Sequence, residues 1–283
     1  MLTIPQAVIL GLLQGVTELF PISSLGHSVL LPGILGWQIN QNASQFLIFL
    51  VATHFATALV LFLFFLNDWV RLIKGFFKSL KEREISSPDA KLFWLLVVGT
   101  IPAGILGLLF EDEFKKFFGN PKFVAAALFL NGLLLFGGEW LRKHRAETSE
   151  TGSDERLAKL SWIQAAKVGT MQALALLPGF SRTGSAITGG LLNGLSHEDA
   201  ARLAFLLATP VIGAAALLKL PELLVPENSG MFVPCLVGAV CSGVAAFLAV
   251  KFLTKYFETK SLKPFAVYCL CAGLLSTLFF FLR

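Results

Sequence analysis

The sequence predicts an all-α polytopic membrane protein, with six transmembrane helices and two re-entrant helix pairs arranged as an inverted-topology internal repeat. Three observations support this fold class. Hydrophobic residues make up 55% of the 283-residue chain and charged residues 14%, with a mean hydropathy of +0.73, which is typical of a protein embedded in lipid. Six long apolar runs are separated by charged connections. Two further apolar segments are interrupted by similar sets of polar and turn-forming residues.

The six uninterrupted runs each have roughly 20 residues, enough for a helix to cross a hydrocarbon core of about 30 Å. None of them shows the alternating pattern of a barrel strand, so helices are the spanning structure that we expect. The predicted transmembrane helices cover residues 44–66, 91–110, 121–141, 199–219, 231–250 and 263–282.

The two interrupted segments are residues 4–36, which contain polar and proline residues at 14, 18, 21, 23 and 24, and residues 161–195, which contain the break 178–182. Each half-segment has about 13 to 17 residues, too short to cross the bilayer. We therefore predict a helix, a break and a second helix that returns to the same side. Irregular backbone at membrane depth must be covered by protein or line a wet cavity, so both breaks should lie inside the protein.

The two interrupted segments echo each other 158 positions apart: Gln14, Ser23 and Gly26 correspond to Gln172, Ser181 and Gly184. A second echo, at a constant offset of 139, relates residues 98–118 to residues 237–257. The chain therefore divides into a first repeat at 1–142, a polar linker at 143–160 and a second repeat at 161–283. The linker should be a solvated cytoplasmic loop. Two matched breaks predict one composite site built from both halves.

The distribution of Lys and Arg predicts the orientation. If each interrupted segment returns to its own side, the connections 67–91, 141–167 and 251–263 share one face and carry most of the Lys and Arg residues. Such connections favour the cytoplasm, which places the first re-entrant pair on the outer side and the second on the inner side. The net charge of +5 follows from this bias and from attraction to anionic lipid, so no nucleic-acid partner is expected.

The second break predicts an anion site. A helix that begins near Ser181 would direct free backbone N–H groups and a capping hydroxyl to the same point as the Arg182 guanidinium. Thr183, Gly184 and Ser185 extend this polar turn. Phosphate is the anion that a guanidinium beside a helix start suits best.

The first break adds reactive groups. Ser23 and Ser24 cap the second half-helix and supply hydroxyl nucleophiles, and His27 follows within one turn. Gln14 and Glu18 are four residues apart, on one helix face, where they could hold a divalent cation such as Mg²⁺ or Ca²⁺ or orient a water. An anion clamp, a hydroxyl, an imidazole and a carboxylate together indicate phosphoryl transfer.

Each of these residues also has a structural explanation on its own: a carboxylate at the membrane surface, a snorkelling arginine, an interhelical histidine or a helix cap. Their joint occurrence on two related breaks favours the functional interpretation. Outside the breaks we expect packing, interface or snorkelling roles for His54, Asn131, Glu139 and Lys219.

The motifs resemble those of the undecaprenyl-diphosphate phosphatase family linked to bacitracin resistance, and the likeness covers essentially the whole chain. They are Gln14-x-x-x-Glu18, Pro21-Ile22-Ser23-Ser24-Leu25-Gly26-His27 and Pro178-Gly179-Phe180-Ser181-Arg182-Thr183. The resemblance implies that Glu18 and Gln14 occupy the family's carboxylate motif, Ser24 and His27 its essential hydroxyl and imidazole, and Ser181 and Arg182 its diphosphate-binding motif.

Two positions depart from the family pattern. Thr183 replaces a serine and keeps its hydroxyl, whereas Ala186 replaces a threonine and loses it. We expect Ser185 or Thr188 to supply the missing hydroxyl; otherwise one hydrogen bond to phosphate is lost, typically about 1 to 3 kcal/mol.

The resemblance further implies a multi-pass hydrolase of the bacterial plasma (inner) membrane that acts on a phosphoric anhydride. It would convert undecaprenyl diphosphate to the monophosphate and inorganic phosphate, which recycles the lipid carrier of peptidoglycan synthesis, with the site facing outward. The expected partners are the polyprenyl diphosphate and membrane lipids, and a homodimer is compatible with the sequence. Ser24 or a water could attack phosphorus, with His27 or Glu18 taking the proton. The alternative function is a polyprenyl-phosphate transporter or flippase that uses the same pocket.

Overall fold

The computed structural model describes residues 2–142 and 152–282, and the elements in these ranges are α-helices and short 3₁₀ turns without a named β-strand. We label the helices α1 Ile4–Leu19, α2 Ser24–Ile34, α3 Ser44–Phe64, α4 Leu66–Glu82, α5 Pro88–Leu109, α6 Glu111–Phe118, α7 Pro121–Arg142, α8 Ser153–Ala158, α9 Trp162–Gln172, α10 Arg182–Leu192, α11 His197–Lys219, α12 Phe232–Phe257 and α13 Lys263–Leu282.

Six helices in the described ranges are long and apolar enough to cross a membrane: α3, α5, α7, α11, α12 and α13. This confirms the six predicted spans. The start of α5 lies three residues earlier than predicted because Ser87 caps its first turn and Pro88 occupies the first helical position. The predicted connection after α3 contains the amphipathic helix α4, which buries Trp69 and Leu72 on one face.

Each interrupted segment forms a helix, a break and a second helix. The first break, residues 20–23, separates α1 from α2, and a 3₁₀ turn with the break 177–181 separates α9 from α10. Both segments begin with a capping box: Thr3 with Gln6, and Ser161 with Gln164, 158 positions later. Both interrupted segments therefore begin with the same capping interaction.

Both breaks lie inside the protein, as predicted. Pro21 and Ser23 are buried in the first break, and so are Pro178 and Gly179 in the second. Helix α10 is buried from Thr183 to Leu191 and packs against α7, α9 and α11. Its short, polar sequence is stable here because neighbouring helices surround this buried stretch.

The closest helix–helix contacts occur in pairs that join equivalent positions of the two halves of the chain. A Cβ on Gly11 of α1 would lie 2.4 Å from Gly238 O of α12, and a Cβ on Gly169 of α9 would lie 2.2 Å from Gly99 O of α5. Gly11 and Gly169 are 158 positions apart, and Gly99 and Gly238 are 139 apart. Each contact thus joins one half of the chain to the other at equivalent positions, where a side chain would not fit.

The helices α7 and α13 also contact each other through equivalent residues. A Cβ on Gly132 would lie 2.8 Å from Leu270, and one on Gly273 would lie 2.4 Å from the backbone of Phe129. Gly132 and Gly273, like Phe129 and Leu270, are 141 positions apart. The two helices therefore contact each other through matching residues.

The prediction of a solvated linker at 143–160 needs a correction. Residues 143–151 lie outside the described residues, but Ser153–Ala158 form α8 rather than a loop. Leu157 is fully buried, and α8 packs against α5. Arg156 and Ser153 bind Asp199 at the start of α11, so the charged face of this short helix is paired while its apolar face is buried.

Candidate active site

The two breaks contact each other in the interior of the protein. Thr183 Oγ1 donates to the carbonyl of Glu18 (2.9 Å), and Ser181 Oγ donates to the carbonyl of Phe20 (3.4 Å). Asn131 of α7 bridges both: its Nδ2 donates to Pro21 O (3.1 Å), and its Oδ1 accepts from Ser181 N (3.0 Å). Buried backbone groups that the breaks release from helical bonding are thereby satisfied across the two halves.

Both second half-helices begin with the same cap. Ser23 Oγ accepts from Gly26 N and Ser181 Oγ accepts from Gly184 N, each at 3.1 Å. The turns before the caps differ: Ser23 itself has a positive φ of 70°, whereas in the second break Gly179 has a φ of 110°. The two helix N-termini lie close together, since a Cβ on Gly26 would lie 3.3 Å from Gly179 Cα, and each has the positive end of its dipole at a break.

The Glu18 carboxylate is the centre of a dense hydrogen-bond cluster. Its Oε2 accepts from Ser24 Oγ (2.5 Å) and Gln14 Nε2 (3.2 Å), and lies 3.2 Å from His54 Nε2. Its Oε1 accepts from Arg182 Nη2 at 2.9 Å. Glu18 is only 6% exposed, and a buried carboxylate persists as an ion only when it is paired and hydrogen-bonded in this way.

Arg182 keeps donor capacity beyond its ion pair. Its Nε and Nη1 are buried without a hydrogen-bond partner among the described residues. A guanidinium has five N–H donors in a rigid fork, so the two unpaired nitrogens suit an additional oxyanion.

A cavity of about 1110 Å³ adjoins this cluster, and its lining includes Glu18, Ser24, His54, Ser181 and Arg182. Most of the remaining wall is apolar and comes from α3, α5 and α11, with further residues from the connections 111–122 and 219–230. The cavity therefore combines a charged region at Glu18 and Arg182 with a largely apolar wall.

The model of the family "Bacitracin resistance protein BacA" matches residues 7–275. The chain belongs to this BacA family. It is 48% identical to an undecaprenyl-diphosphatase of Mycolicibacterium paratuberculosis, over 98% of this chain and 97% of that relative. It is also 46% identical to undecaprenyl-diphosphatase 2 of Chromobacterium violaceum, over 97% and 98% of the two chains, and 43% identical to undecaprenyl-diphosphatase 2 of Frankia alni, over 99% and 98%.

Four other predicted site residues of this BacA chain contact the cluster but do not line the cavity. Gln14 is fully buried and reaches Glu18, Ser23 caps α2, and Thr183 and Gly184 tie α10 to the first break and its own cap. None of these four belongs to the described lining of the cavity. They position the cluster instead of facing the space beside it.

The missing hydroxyl at Ala186 has no replacement facing the cavity. Ser185 Oγ and Thr188 Oγ1 are both buried without a hydrogen-bond partner among the described residues. Neither residue is part of the described cavity lining, and Thr188 packs toward Gly138 of α7. Ala186 does not line the cavity either, since the lining residues of α10 and its cap are Ser181 and Arg182.

The structure does not bring His27 to Ser24. Its Nδ1 bonds the carbonyl of Ser23 (2.6 Å), its Nε2 bonds the hydroxyl of Tyr268 (2.7 Å), and its ring stacks on that of Tyr268. Both ring nitrogens are thus engaged away from Glu18. In this geometry His27 holds the strained turn at Ser23 against α13.

His54 is the residue that sequence reasoning missed. We expected a packing, interface or snorkelling role, but the structure places it beside Glu18, with Nδ1 hydrogen-bonded to Leu50 O at 2.6 Å. An ionisable residue inside a transmembrane helix is the signal that could have identified it. By contrast, Glu139 accepts from Leu262 N and contacts His197, an interface role as expected.

The residues near Glu18 do not form a cage for a resident metal ion. In the described ranges no group of three His, Cys, Asp or Glu side chains could hold one. Gln14 Oε1 is buried without a partner beside Glu18. Gln14 does not line the cavity, whereas Glu18 does, so Glu18 fits a cation bound mainly by phosphate oxygens, because Mg²⁺ usually takes one or two protein oxygens together with substrate phosphates.

Proposed function

We propose that this protein is an undecaprenyl-diphosphatase, which hydrolyses undecaprenyl diphosphate to undecaprenyl phosphate and inorganic phosphate. The observation that carries the proposal is the Glu18, Ser24 and Arg182 cluster, built from both breaks and open to a large apolar cavity. The relatives that match nearly the whole chain carry the same name. The role of the protein would be to recycle the lipid carrier of peptidoglycan synthesis in the bacterial plasma membrane.

In the proposed mechanism Arg182 and the start of α10 bind the diphosphate. The free Nε and Nη1 of Arg182 donate to phosphoryl oxygens, and the helix dipole favours their negative charge. The ion pair with Glu18 fixes the direction of the guanidinium before substrate arrives. Such preorganised donors supply much of the stabilisation in phosphoryl transfer.

Ser24 acts as the nucleophile in this mechanism. Its Oγ donates to Glu18 Oε2, so the carboxylate can accept the hydroxyl proton as Oγ bonds to the terminal phosphorus. The bond from phosphorus to the bridging oxygen breaks, and undecaprenyl phosphate leaves. Water then attacks the phosphoserine, releases inorganic phosphate and restores the hydroxyl.

His54 and a cation have supporting roles in the proposal. His54 holds Glu18 Oε2 from α3, anchored by its own bond to Leu50 O. Glu18 would add a ligand to a Mg²⁺ or Ca²⁺ ion that the diphosphate carries, with Gln14 holding the carboxylate from behind. When bound, such an ion neutralises charge on the phosphoryl oxygens.

For the membrane arrangement we propose two re-entrant pairs, α1–α2 and α9–α10, in halves related by an inverted repeat. The exchanged contacts of Gly11 with Gly238 and of Gly169 with Gly99 support this arrangement. The cavity includes residues from 111–122 and 219–230, which carry few positive charges, so it would open to the outer side.

The test is phosphate release from C55 diphosphate by the purified protein in detergent, beside Glu18→Ala and Arg182→Ala. Turnover by the wild type that both variants lose would establish the phosphatase and place both halves in one site. A folded wild type that binds the lipid without releasing phosphate would contradict the proposal and favour a transporter. Acid quench should trap a phosphoenzyme, and a fully active Ser24→Ala variant would exclude the covalent route.

A further inference from the structure

The wall of the cavity contains a stretch of small residues where two membrane-spanning helices face each other. Ala103, Gly104 and Gly107 of α5 line the cavity, and so do Ala214 and Ala215 of α11. Gly104, Ala214 and Ala215 are also solvent-accessible residues. We call the cavity wall formed by these two helix segments the lateral opening.

The residues beside this stretch face outward from the protein. Leu108 of α5 is 71% exposed and Leu218 of α11 is 69% exposed, yet both also line the cavity. Both helices belong to the six that are long and apolar enough to span a membrane. The same apolar surface therefore continues from the cavity to the lipid-facing side of the protein.

Helix packing does not explain the small size of Gly104. On the same helix, a Cβ on Gly99 would lie 3.0 Å from Leu207, so that glycine permits close contact with α11. A Cβ on Gly104 would meet nothing within 4 Å, and one on Gly107 would meet only Leu176, at 3.5 Å. Space at membrane depth that no side chain fills is available to an apolar ligand.

Unpaired polar groups in the same cavity indicate a ligand with a polar head. Gln172 is 2% exposed and lines the cavity, and its Oε1 has no partner among the described residues. Arg182 also lines the cavity, and its Nε and Nη1 are buried without a hydrogen-bond partner among the described residues. The cavity thus has a polar end that can bind phosphate and its water, and an apolar side that reaches the membrane.

We propose that the lateral opening between α5 and α11 is the passage for the polyprenyl chain of the substrate, and that Gly104 and Ala215 set its width. The inference rests on the proposed phosphatase function. With the diphosphate at Arg182, a chain of 55 carbons is much longer than the cavity and must leave it. Leaving between α5 and α11 keeps the chain in an apolar environment throughout.

The test compares chain lengths in one assay. We would measure kcat/KM for C55 diphosphate and for farnesyl (C15) diphosphate in the wild type, in Gly104→Leu and in Ala215→Leu. Each substitution adds a branched side chain to one edge of the lateral opening. The ratio of kcat/KM for C55 to that for C15 should fall about tenfold or more, because a C15 chain needs less of the passage.

Gly137→Leu is the matched control. Gly137 lies inside the spanning helix α7, a Cβ there would meet nothing within 4 Å, and it does not line the cavity. This variant bears the same helix-propensity change as Gly104→Leu and should keep the wild-type ratio. Gly104→Ala, with one added carbon, should fall between the wild type and Gly104→Leu.

If folded Gly104→Leu and Ala215→Leu kept the wild-type ratio of kcat/KM for C55 to that for C15, the proposed passage would be wrong. The same fall in Gly137→Leu would also overturn it, since the effect would then not come from the opening. A wild type that releases phosphate from neither substrate would instead refute the proposed function, so the two failures are distinguishable.

Discussion

The two helix breaks share one construction and differ in chemistry. Each ends in a serine that caps the next helix at the same distance, 3.1 Å from the backbone N–H of a glycine. The first break carries Glu18 before it and Ser24 after it, whereas the residue equivalent to Glu18 in the second is Leu176, and Arg182 follows the cap. The duplicated backbone device thus supplies opposite charges to one site, and neither half contains a complete set of groups.

The largest effect is expected for a substitution of Arg182, which follows the second break. Arg182→Lys keeps the charge but cannot hold Glu18 and two phosphoryl oxygens at once, because an ammonium lacks the guanidinium fork. We expect kcat to fall about 10²- to 10³-fold, as for the loss of one preorganised donor. Arg202→Lys is the control: Arg202 pairs with Asp68 away from the site, and its phosphate release should remain within about threefold of the wild type.

The second prediction concerns backbone strain in the second break. In Gly179→Ala the new Cβ would lie 2.5 Å from Ala127 Cβ and 2.7 Å from Val124 O, at a φ of 110°. Strain and overpacking together should lower the unfolding free energy by about 3 kcal/mol, measured by denaturation in mixed detergent. Gly36→Ala has a φ of 67° but open space, so its loss should be only about 1 kcal/mol. If both variants lost the same unfolding free energy, the close contacts of a Cβ at position 179 would not contribute to the destabilisation.

A third prediction concerns the hydrogen bond between His54 and Glu18. Removing a hydrogen bond to a charged group costs about 1.5 to 3 kcal/mol, so His54→Leu should reduce kcat about tenfold to a hundredfold with little change in KM. His54→Gln retains a donor toward Glu18 and should recover a large part of the loss. If His54→Gln were as slow as His54→Leu, hydrogen bonding to Glu18 would not be the function of this residue.

The smallest effect is expected for the buried hydroxyls of α10. Ser185 Oγ has no partner among the described residues, so Ser185→Ala should change phosphate release by less than about threefold and leave stability nearly unchanged. Thr183→Val is the comparison, because Thr183 Oγ1 bonds the carbonyl of Glu18 and its loss should cost about 1 kcal/mol. A marked loss of activity in Ser185→Ala would indicate that Ser185 does replace the hydroxyl absent at Ala186.

Local features of the sequence predicted the elements well. The six spanning helices follow from apolar runs of sufficient length, and the breaks at 20–23 and 177–181 follow from proline, glycine and capping serines. These signals act over a few residues, so they can be recognised without knowing the fold. The contact between Glu18 and Arg182 was also predictable, because two unrelated burials of charge in lipid are less probable than one shared site.

The helix α8 shows where local signals fail. The polar composition around it predicted a solvated loop, yet Leu157 is buried against α5 and Arg156 binds Asp199. Tertiary contacts decide the state of so short a helix, because six residues cannot hold a helix by propensity alone.

The sequence by itself determined that this chain crosses a membrane, where its six spanning helices lie and which two breaks carry charge, since hydrophobic length and caps are local properties. Only the tertiary structure decided which histidine faces Glu18. His27, the closer in sequence, turns to Tyr268, 241 positions away, while His54 reaches the carboxylate from α3. The physical reason is that the direction of a side chain depends on how helices pack, and packing brings together residues that no local pattern relates.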